Sequence, residues 1–203
     1  MKLRLHNEQL ERLRKLCNAK EESECQWLGY AIDLERGKIK DLLTENEHHA
    51  NAGIQVLTIL LSHYSLGKPA ERSGELVKFK DLPGGYAYER SFQQRVVQFI
   101  AESFGDNPAE LVEAAELMKG KKLEFGDASV EVPALEGVPV VFVLWGKTEF
   151  PATANVLFDK SASSFLPTED LGVLAELTAS RLVKAKAALR NKKPETLESQ
   201  PQS

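Results

Sequence analysis

Hydrophobic residues recur at helical spacing in five segments of this chain. In the first segment Leu10 and Leu13 fall on one face, and Asn7 stands where an N-cap is expected. The second segment is almost continuously apolar, which is typical of a helix that runs through a core, and Gly67 follows it as a C-terminal cap. The predicted helices cover 7–20, 46–66, 92–104, 107–120 and 168–190.

Alternating or uniformly apolar runs between these helices predict β-strands. The run from Val138 to Trp145 is nearly all apolar and fits a buried strand. Turns are predicted at 35–37 and 83–85, which contain glycine or proline. The predicted strands cover 26–32, 38–43, 74–79, 129–132, 138–145 and 154–158. The strands are clustered along the sequence and do not strictly alternate with helices. This order of elements predicts an α+β fold with a mainly antiparallel sheet and several helices, one of them buried.

Length and composition limit the class of protein. The 203 residues suit a single globular domain over 1–190, followed by a Pro-, Gln-, Ser- and Glu-rich tail over 191–203 that we expect to be disordered. A net charge of −4 gives no electrostatic reason to expect a nucleic-acid ligand. The sequence has no apolar run long enough to span a membrane. Its N-terminal residues also lack the apolar core of a signal peptide. We therefore expect a cytoplasmic protein that binds neither nucleic acid nor membrane.

The chain has two cysteines, Cys17 and Cys25. Two thiolates cannot by themselves hold an iron–sulfur cluster or a four-cysteine zinc site, and their spacing matches no common metal-binding motif. In a cytoplasmic protein we expect them to be reduced. The sequence leaves three interpretations: structural or incidental thiols, a redox pair, or ligands shared with a partner.

Two histidines lie on one side of the predicted 46–66 helix. His49 and His63 are separated by about 21 Å along the helix axis, too far to share one metal ion. At most one of them can therefore be an axial ligand to a tetrapyrrole or another metal centre. The alternative is that His48 and His49 mark the solvated start of the helix and His63 is a hydrogen-bonded residue near its end.

The common catalytic motifs for nucleotide binding, zinc proteolysis and serine hydrolysis are absent from the sequence. The acidic residues after the buried strand remain as candidates, because carboxylates at strand ends can hold Mg²⁺ or Ca²⁺. Glu169 and Asp170 also suit the first turn of a helix, and Asp159 suits a helix cap. Glu149 has the least obvious structural role. Glu149 and Asp159 are therefore the pair that can share a functional site.

Aromatic residues gather near the predicted turns. Tyr86 and Tyr88 follow two glycines, while Trp145 and Phe150 flank the end of the buried strand. Such residues can line a pocket for a flat ligand. The alternative is that they pack on the rim of the core.

Several of these segments together resemble one prokaryotic family. They are 74–79, 82–86, 126–127, Trp145 and the stretch from Glu149 to Leu171. Over roughly residues 25–185 the chain resembles domain of unknown function 3786, whose members stand alone or are joined to an iron–sulfur module similar to that of corrinoid iron–sulfur proteins. The resemblance implies an anaerobic redox or one-carbon setting, and it implies no established activity.

The chain departs from this family in two places. The segment after the tryptophan is Gly146-Lys147-Thr148, which is shorter and less acidic than in many members and weakens the case for a carboxylate-rich metal site. The chain also lacks a cysteine-rich extension, so an iron–sulfur cluster would have to come from a partner protein.

Three hypotheses for function follow. The first is a binding or accessory module that binds a tetrapyrrole, either a corrinoid or haem, or docks onto an iron–sulfur or corrinoid protein. The second is a divalent-cation-dependent enzyme that uses Glu149 and Asp159. The third is a plain protein-interaction domain. The candidate ligand-binding residues are Glu149, Asp159, Trp145, Tyr86 and His63.

Overall fold

The computed structural model describes residues 5–17, 24–43 and 51–192, and in them the chain has the α+β fold with antiparallel sheets that the sequence predicts. The helices are α1 (Asn7–Leu16), α2 (Asn51–Tyr64), α3 (Glu89–Phe92), α4 (Phe99–Phe104), α5 (Ala109–Glu116), α6 (Ala162–Phe165) and α7 (Thr168–Lys192). The strands are β1 (Glu24–Trp27), β2 (Tyr30–Asp33), β3 (Lys38–Asp41), β4 (Leu76–Lys78), β5 (Lys121–Leu123), β6 (Ala128–Leu135), β7 (Val138–Trp145) and β8 (Thr153–Asp159).

The larger sheet has five strands in the order β4-β8-β7-β6-β5, and every neighbouring pair is antiparallel. Its core face is set by the register, which places Val130, Phe142 and Val156 side by side on adjacent strands. These residues belong to one hydrophobic cluster with buried residues of α4, α5 and α7. All but the last residue of β7 are buried, which explains why this strand reads as a continuous apolar run.

The smaller sheet has three antiparallel strands, β1-β2-β3. The prediction of one strand over 26–32 is wrong, because a turn at Leu28 and Gly29 divides that segment into β1 and β2. Both residues have positive φ angles, 54° and 71°. Leu28 carries an apolar side chain that is fully buried, so the turn does not interrupt the hydrophobic pattern from which the strand was predicted.

A buried ion pair ties this small sheet to helix α7. Arg181 is 1% exposed and donates two hydrogen bonds to the carboxylate of Asp41, at 2.7 and 2.6 Å. It also donates to the backbone carbonyls of Leu28 and Gly29, at 2.7 and 3.0 Å, and its guanidinium lies 3.8 Å from the centre of the Tyr30 ring. Burial raises the pKa of Asp41, but the hydrogen bonds and charge of Arg181 outweigh it, so the net pKa is lowered.

Several predicted boundaries differ from the observed ones. Helix α1 is preceded by His6, whose backbone N–H donates to Gln9 Oε1 at 3.0 Å, so the cap lies one residue before Asn7. Gly67 has no positive φ; a Cβ there would lie 2.2 Å from the Phe165 carbonyl, so close packing is what requires glycine. The short edge strand β5 was not predicted.

Parts of two predicted helices and most of the predicted tail lie outside the described residues. These are residues 18–20 of the predicted 7–20 helix, residues 46–50 of the predicted 46–66 helix, which include His49, and residues 193–203. Helix α7 runs to Lys192, two residues into the segment predicted as a tail. None of the helices in the described ranges is long and apolar enough to cross a membrane.

We expect Asp41→Asn to lower the free energy of unfolding by about 3 kcal/mol or more, because the charge of Arg181 would remain buried without its counter-ion. Glu176→Gln is the matched control. It breaks an ion pair of the same helix with Arg95, but both side chains are largely exposed, so the loss should be below about 1 kcal/mol. Urea denaturation of both variants measures the difference. Equal and small losses would contradict a structural role for the buried pair.

Candidate functional site

A groove of about 750 Å³ lies beside the loop that joins β7 to β8. Its other wall is the continuous helical stretch 89–104. The lining side chains include the amides of Gln93, Gln94 and Gln98, the charged Glu102, Asp106, Lys147 and Glu149, and the apolar Val97, Ala101, Phe150, Pro151 and Ala152. A groove of this size and mixed lining is within the range of ligand-binding sites.

The helical wall of the groove contains a π-helical turn, Gln93–Gln98, between α3 and α4. Single π-turns are rare and are found frequently at functional sites, because the wider turn places side chains where a regular helix would not. Here the amide side chains of the turn are held by neighbouring carboxylates: Gln93 Nε2 donates to Glu89 and Gln98 Nε2 donates to Glu102, both at 2.7 Å. The sequence showed helical spacing over this segment but gave no sign of the π-turn.

The opposite wall is the loop 146–152, which is fixed at its beginning and exposed at its tip. The backbone N–H of Gly146 donates to Asp127 Oδ2, and that of Lys147 donates to the Gly105 carbonyl, both at 2.8 Å. A Cβ on Gly105 would lie 2.3 Å from the Ala152 side chain, so glycine allows the end of α4 to approach this loop. Contacts at the two ends of the loop therefore hold it in place, and the exposed side chains at its tip are not needed for this.

Two aromatic side chains are exposed at this loop. Phe150 is 74% exposed and Trp145, at the end of β7, is 40% exposed. A second concavity of about 550 Å³ lies beside the same loop and is lined by both of them. The two concavities share Thr148, Phe150, Pro151 and Thr153, so together they form one surface, which we call the 146–152 surface.

Asp159, by contrast, is a buried structural carboxylate. Its Oδ1 accepts hydrogen bonds from the backbone N–H and hydroxyl of both Ser73 and Ser161, at 2.6–3.0 Å, and its Oδ2 accepts from the Gly74 N–H at 2.8 Å. The side chain is fully buried. Burial raises its pKa, but these hydrogen bonds outweigh the burial and hold the pKa well below its ordinary value. Asp159 thus joins the segment before β4 to the start of α6.

The structure does not bring Glu149 and Asp159 together. Glu149 lies in the loop before β8 and lines the large groove, whereas Asp159 is the last residue of β8. The six residue steps of this strand span roughly 20 Å. In the described ranges, no three His, Cys, Asp or Glu side chains are close enough to one another to hold a metal ion. The two acids that the sequence placed in one site therefore lie in different surroundings.

His63 lies in a separate place, where the end of α2 meets the beginning of α7. Its Nδ1 is 2.7 Å from Asp170 Oδ2, and about half of the histidine side chain is exposed. A third concavity, of about 590 Å³, is lined here by His63, Asp170 and the apolar residues Leu66, Phe165, Leu166 and Pro167. The sequence predicted a hydrogen-bonded His63 as one alternative, but it did not identify Asp170 as the partner.

Tyr86 stands apart from all three concavities. It is 82% exposed in the 3₁₀ turn Gly85–Tyr88, and it lines none of them. Its neighbour Tyr88 donates a hydrogen bond to Glu169 Oε1 at 2.9 Å, which joins this turn to the first turn of α7. The aromatic residues therefore do not form one pocket for a flat ligand: Trp145 and Phe150 share a surface, and Tyr86 is elsewhere.

Comparison with known proteins gives one match. Residues 28–181 match the model of a family described as Domain of unknown function (DUF3786), over more than half of the chain. Neither the curated proteins nor the solved structures contain a match. The family description names no ligand and no activity, so the function has to be argued from the surfaces themselves.

We expect Asp159→Asn to cost about 2–3 kcal/mol at pH 7, because an amide cannot accept all the hydrogen bonds that the carboxylate accepts. The lowered pKa of Asp159 also means that its contribution is present above the unfolded-state pKa of about 3.9 and is lost as the pH falls through the folded-state value. The stability difference between wild type and variant should therefore shrink below about pH 4.

Urea denaturation between pH 2 and pH 7 measures this difference. Asp81→Asn is the control, since Asp81 is an exposed aspartate of the turn after β4 and should change stability little at any pH. A difference between wild type and Asp159→Asn that does not depend on pH would contradict the role given to the Asp159 carboxylate.

Proposed function

We propose that this chain, which belongs to the Domain of unknown function (DUF3786) family, is a binding or accessory module that docks onto another protein through its 146–152 surface. The observation that carries the proposal is the pair of exposed aromatic side chains, Phe150 and Trp145, on a loop that is flanked by two concavities. Aromatic residues are the commonest anchors of protein–protein interfaces.

The surroundings of the anchors suit a docking surface. The glutamines of the π-turn offer hydrogen-bond donors and acceptors along one wall, as in the polar rim of an interface. Four carboxylates line the surface, those of Glu102, Asp106, Asp127 and Glu149, together with one ammonium, that of Lys147. A partner with a basic rim and a pocket for an aromatic ring fits this surface best.

The acids with lowered pKa values favour binding over catalysis. Asp41 is paired with Arg181, Asp159 accepts backbone and hydroxyl hydrogen bonds, and Glu110 is lowered by hydrogen bonds from Lys186 and Arg190. Each of these carboxylates joins two parts of the fold. The shifted pKa values thus have structural causes, and none of these groups lines the 146–152 surface.

We propose an iron–sulfur or corrinoid protein as the partner, in a cytoplasmic redox or one-carbon pathway of an anaerobe. Support for this comes from the resemblance set out above, in which domains of this family are joined to iron–sulfur modules. A module that is covalently joined to its partner in one protein can dock onto the same kind of partner when it is a separate chain. The cluster or corrinoid is then held by the partner.

Phe150→Ala should weaken binding of a purified corrinoid iron–sulfur protein at least about tenfold, because truncating an interface anchor typically costs more than 1–2 kcal/mol. Phe125→Ala is the matched control: Phe125 is 51% exposed but lines neither concavity. Isothermal titration calorimetry of wild type and both variants, with thermal melts to check folding, measures the effect. Absence of binding by the wild type, or equal losses in both variants, would contradict the proposal.

A second candidate function is tetrapyrrole binding, which one specific observation favours. His63 Nδ1 lies 2.7 Å from the Asp170 carboxylate, and in a neutral imidazole that donates through Nδ1 the lone pair is on Nε2, where a metal would bind. Histidine ligands of metal centres usually have this carboxylate contact, which fixes the tautomer and the orientation of the ring. Leu66, Phe165 and Pro167 add apolar surface beside it. In such a site His63 would be one axial ligand of a corrinoid or haem, and the apolar side chains would lie beside the bound group.

An absorption titration of the full chain with cobalamin, and separately with haem, tests this candidate. A saturable spectral shift should be lost in His63→Ala and weakened about 10–100-fold in Asp170→Asn, which removes the orienting carboxylate. His6→Ala is the control, since His6 is an exposed histidine before α1. A flat titration, or a shift that persists in His63→Ala, would exclude His63 as an axial ligand.

A further inference from the structure

The first half of β8 has a neighbouring strand on one side only. Residues 153–156 pair with β7. On the other side β4 pairs only with residues 157–159, because the chain leaves the sheet after Lys78 and continues as the 3₁₀ turn Phe79–Asp81. Among the described strands, residues 153–156 therefore form an open edge. Successive residues of a strand direct their N–H and C=O groups to opposite sides, so two of these four residues direct them to the open edge.

The groove of about 750 Å³ lies at this open edge. Thr153 and Ala154 line it from the strand, and side chains of the helical stretch 89–104 line it from the opposite wall. An extended chain in the groove would have the edge of β8 on one side and the helical wall on the other. Domains that recognise peptides by strand addition bind the peptide backbone at such an edge and receive alternate side chains beside it.

We propose that an extended segment of the partner protein, which carries basic side chains, adds to the large sheet as a short strand along residues 153–156. This inference rests on the docking function proposed above, because it uses the same surface, and it specifies how the backbone of the partner is bound. The segment takes the position in the sheet that β4 leaves after Lys78. Phe150 and Trp145 remain the side-chain anchors of the same interface.

The open edge of β8 lacks the features that protect sheet edges from pairing with another chain. The strand at the far end of the sheet, β5, is three residues long and carries Lys121 and Lys122. Short length and lysine side chains are common protections of an edge. Residues 153–156 are Thr, Ala, Asn and Val, which include neither a charged residue nor a proline. This edge is therefore suited to main-chain hydrogen bonds with a second chain.

The helical wall of the groove suits the other side of an added strand. Gln93, Gln94 and Gln98 line it, and a glutamine amide combines donors with an acceptor, as a peptide group does. These amides can form hydrogen bonds with the outer edge of the segment. Because successive side chains of a strand point to opposite faces, every second side chain of the segment meets the same surroundings.

The charges of the groove favour a basic segment. The groove is lined by the carboxylates of Glu102, Asp106 and Glu149 and by one ammonium, that of Lys147, which lies 3.7 Å from Asp106. Lysine or arginine side chains on the segment complement this excess of negative charge. The C-terminal residues 193–203 of the chain itself are a poorer match, since they contain one lysine and two glutamates.

Selection of phage-displayed random twelve-residue peptides on the full-length protein tests the proposal without a partner protein. The selected peptides should carry Lys or Arg at every second position of a short stretch. Synthetic copies, each N-methylated at one backbone nitrogen, then locate the main-chain hydrogen bonds by calorimetry. Methylation should weaken binding at least about tenfold at alternate positions, where the N–H faces β8, and much less at the positions between.

A pair of charge reversals locates the peptide on the protein. Glu102→Lys should weaken binding of the selected peptide at least about tenfold at low ionic strength, because it reverses a charge of the groove. Glu113→Lys is the matched control, since Glu113 is an exposed glutamate of α5 that does not line the groove. Thermal melts of both variants check that they are folded.

Four results would overturn the proposal. They are a selection that yields no binding peptide, an effect of N-methylation that does not alternate, equal affinities in Glu102→Lys and Glu113→Lys, and a dimer of the chain that the peptide dissociates. The last result would identify a second copy of the chain as the occupant of the edge.

These results are separable from the test of docking. Binding of the corrinoid iron–sulfur protein that Phe150→Ala weakens, without an alternating effect of N-methylation, would leave docking in place and exclude strand addition. The alternating effect without any binding of the corrinoid iron–sulfur protein would support strand addition and exclude that partner.

Discussion

The buried pair of Arg181 and Asp41 is the interaction on which the arrangement of this chain most depends. One guanidinium binds the carboxylate at the end of β3, the carbonyls of the β1–β2 turn and the face of Tyr30. It thereby holds the small sheet against α7, a helix that also packs on the large sheet. A charge buried to this degree is tolerated only when its partners are all in place, so the turn, the strand and the helix depend on one another.

Asp159 has a comparable role in another part of the fold. It fixes the segment before β4 and the start of α6, because its carboxylate accepts hydrogen bonds from Ser73, Gly74 and Ser161, and Arg72 Nε lies 3.9 Å from its Oδ2. The buried charged residues are thus used to assemble the fold. The tip of the 146–152 loop is different: Phe150 is exposed there, and Phe150 and Glu149 line a groove instead of joining parts of the fold. This division is the reason for interpreting the protein as a binding module.

Local patterns predicted most of the fold, and long-range contacts account for what they missed. The spacing of apolar residues predicted α7, the continuous apolar run predicted the buried strand β7, and the clustering of the strands predicted the antiparallel α+β class. The turn at Leu28 was missed because the buried apolar side chain of Leu28 continues the hydrophobic pattern, and the Arg181 side chain that binds its carbonyl comes more than 150 residues later. The sequence likewise placed Glu149 and Asp159 in one site, since nothing local shows that a whole strand separates them. Trp145 and Glu149, which the sequence names as candidates, both line the 146–152 surface, whereas the π-turn that also lines it left no signal in the sequence.

We propose that this protein binds its partner through the 146–152 surface rather than through the region of Asp159 or of His63. Hydrogen–deuterium exchange of the full chain, with and without a corrinoid iron–sulfur protein, tests it directly, because each segment is followed separately. The account predicts slower exchange confined to residues 146–154 and 93–106 when the partner is present. Protection of 63–67 and 163–170 instead, or no protection anywhere in the chain, would contradict it.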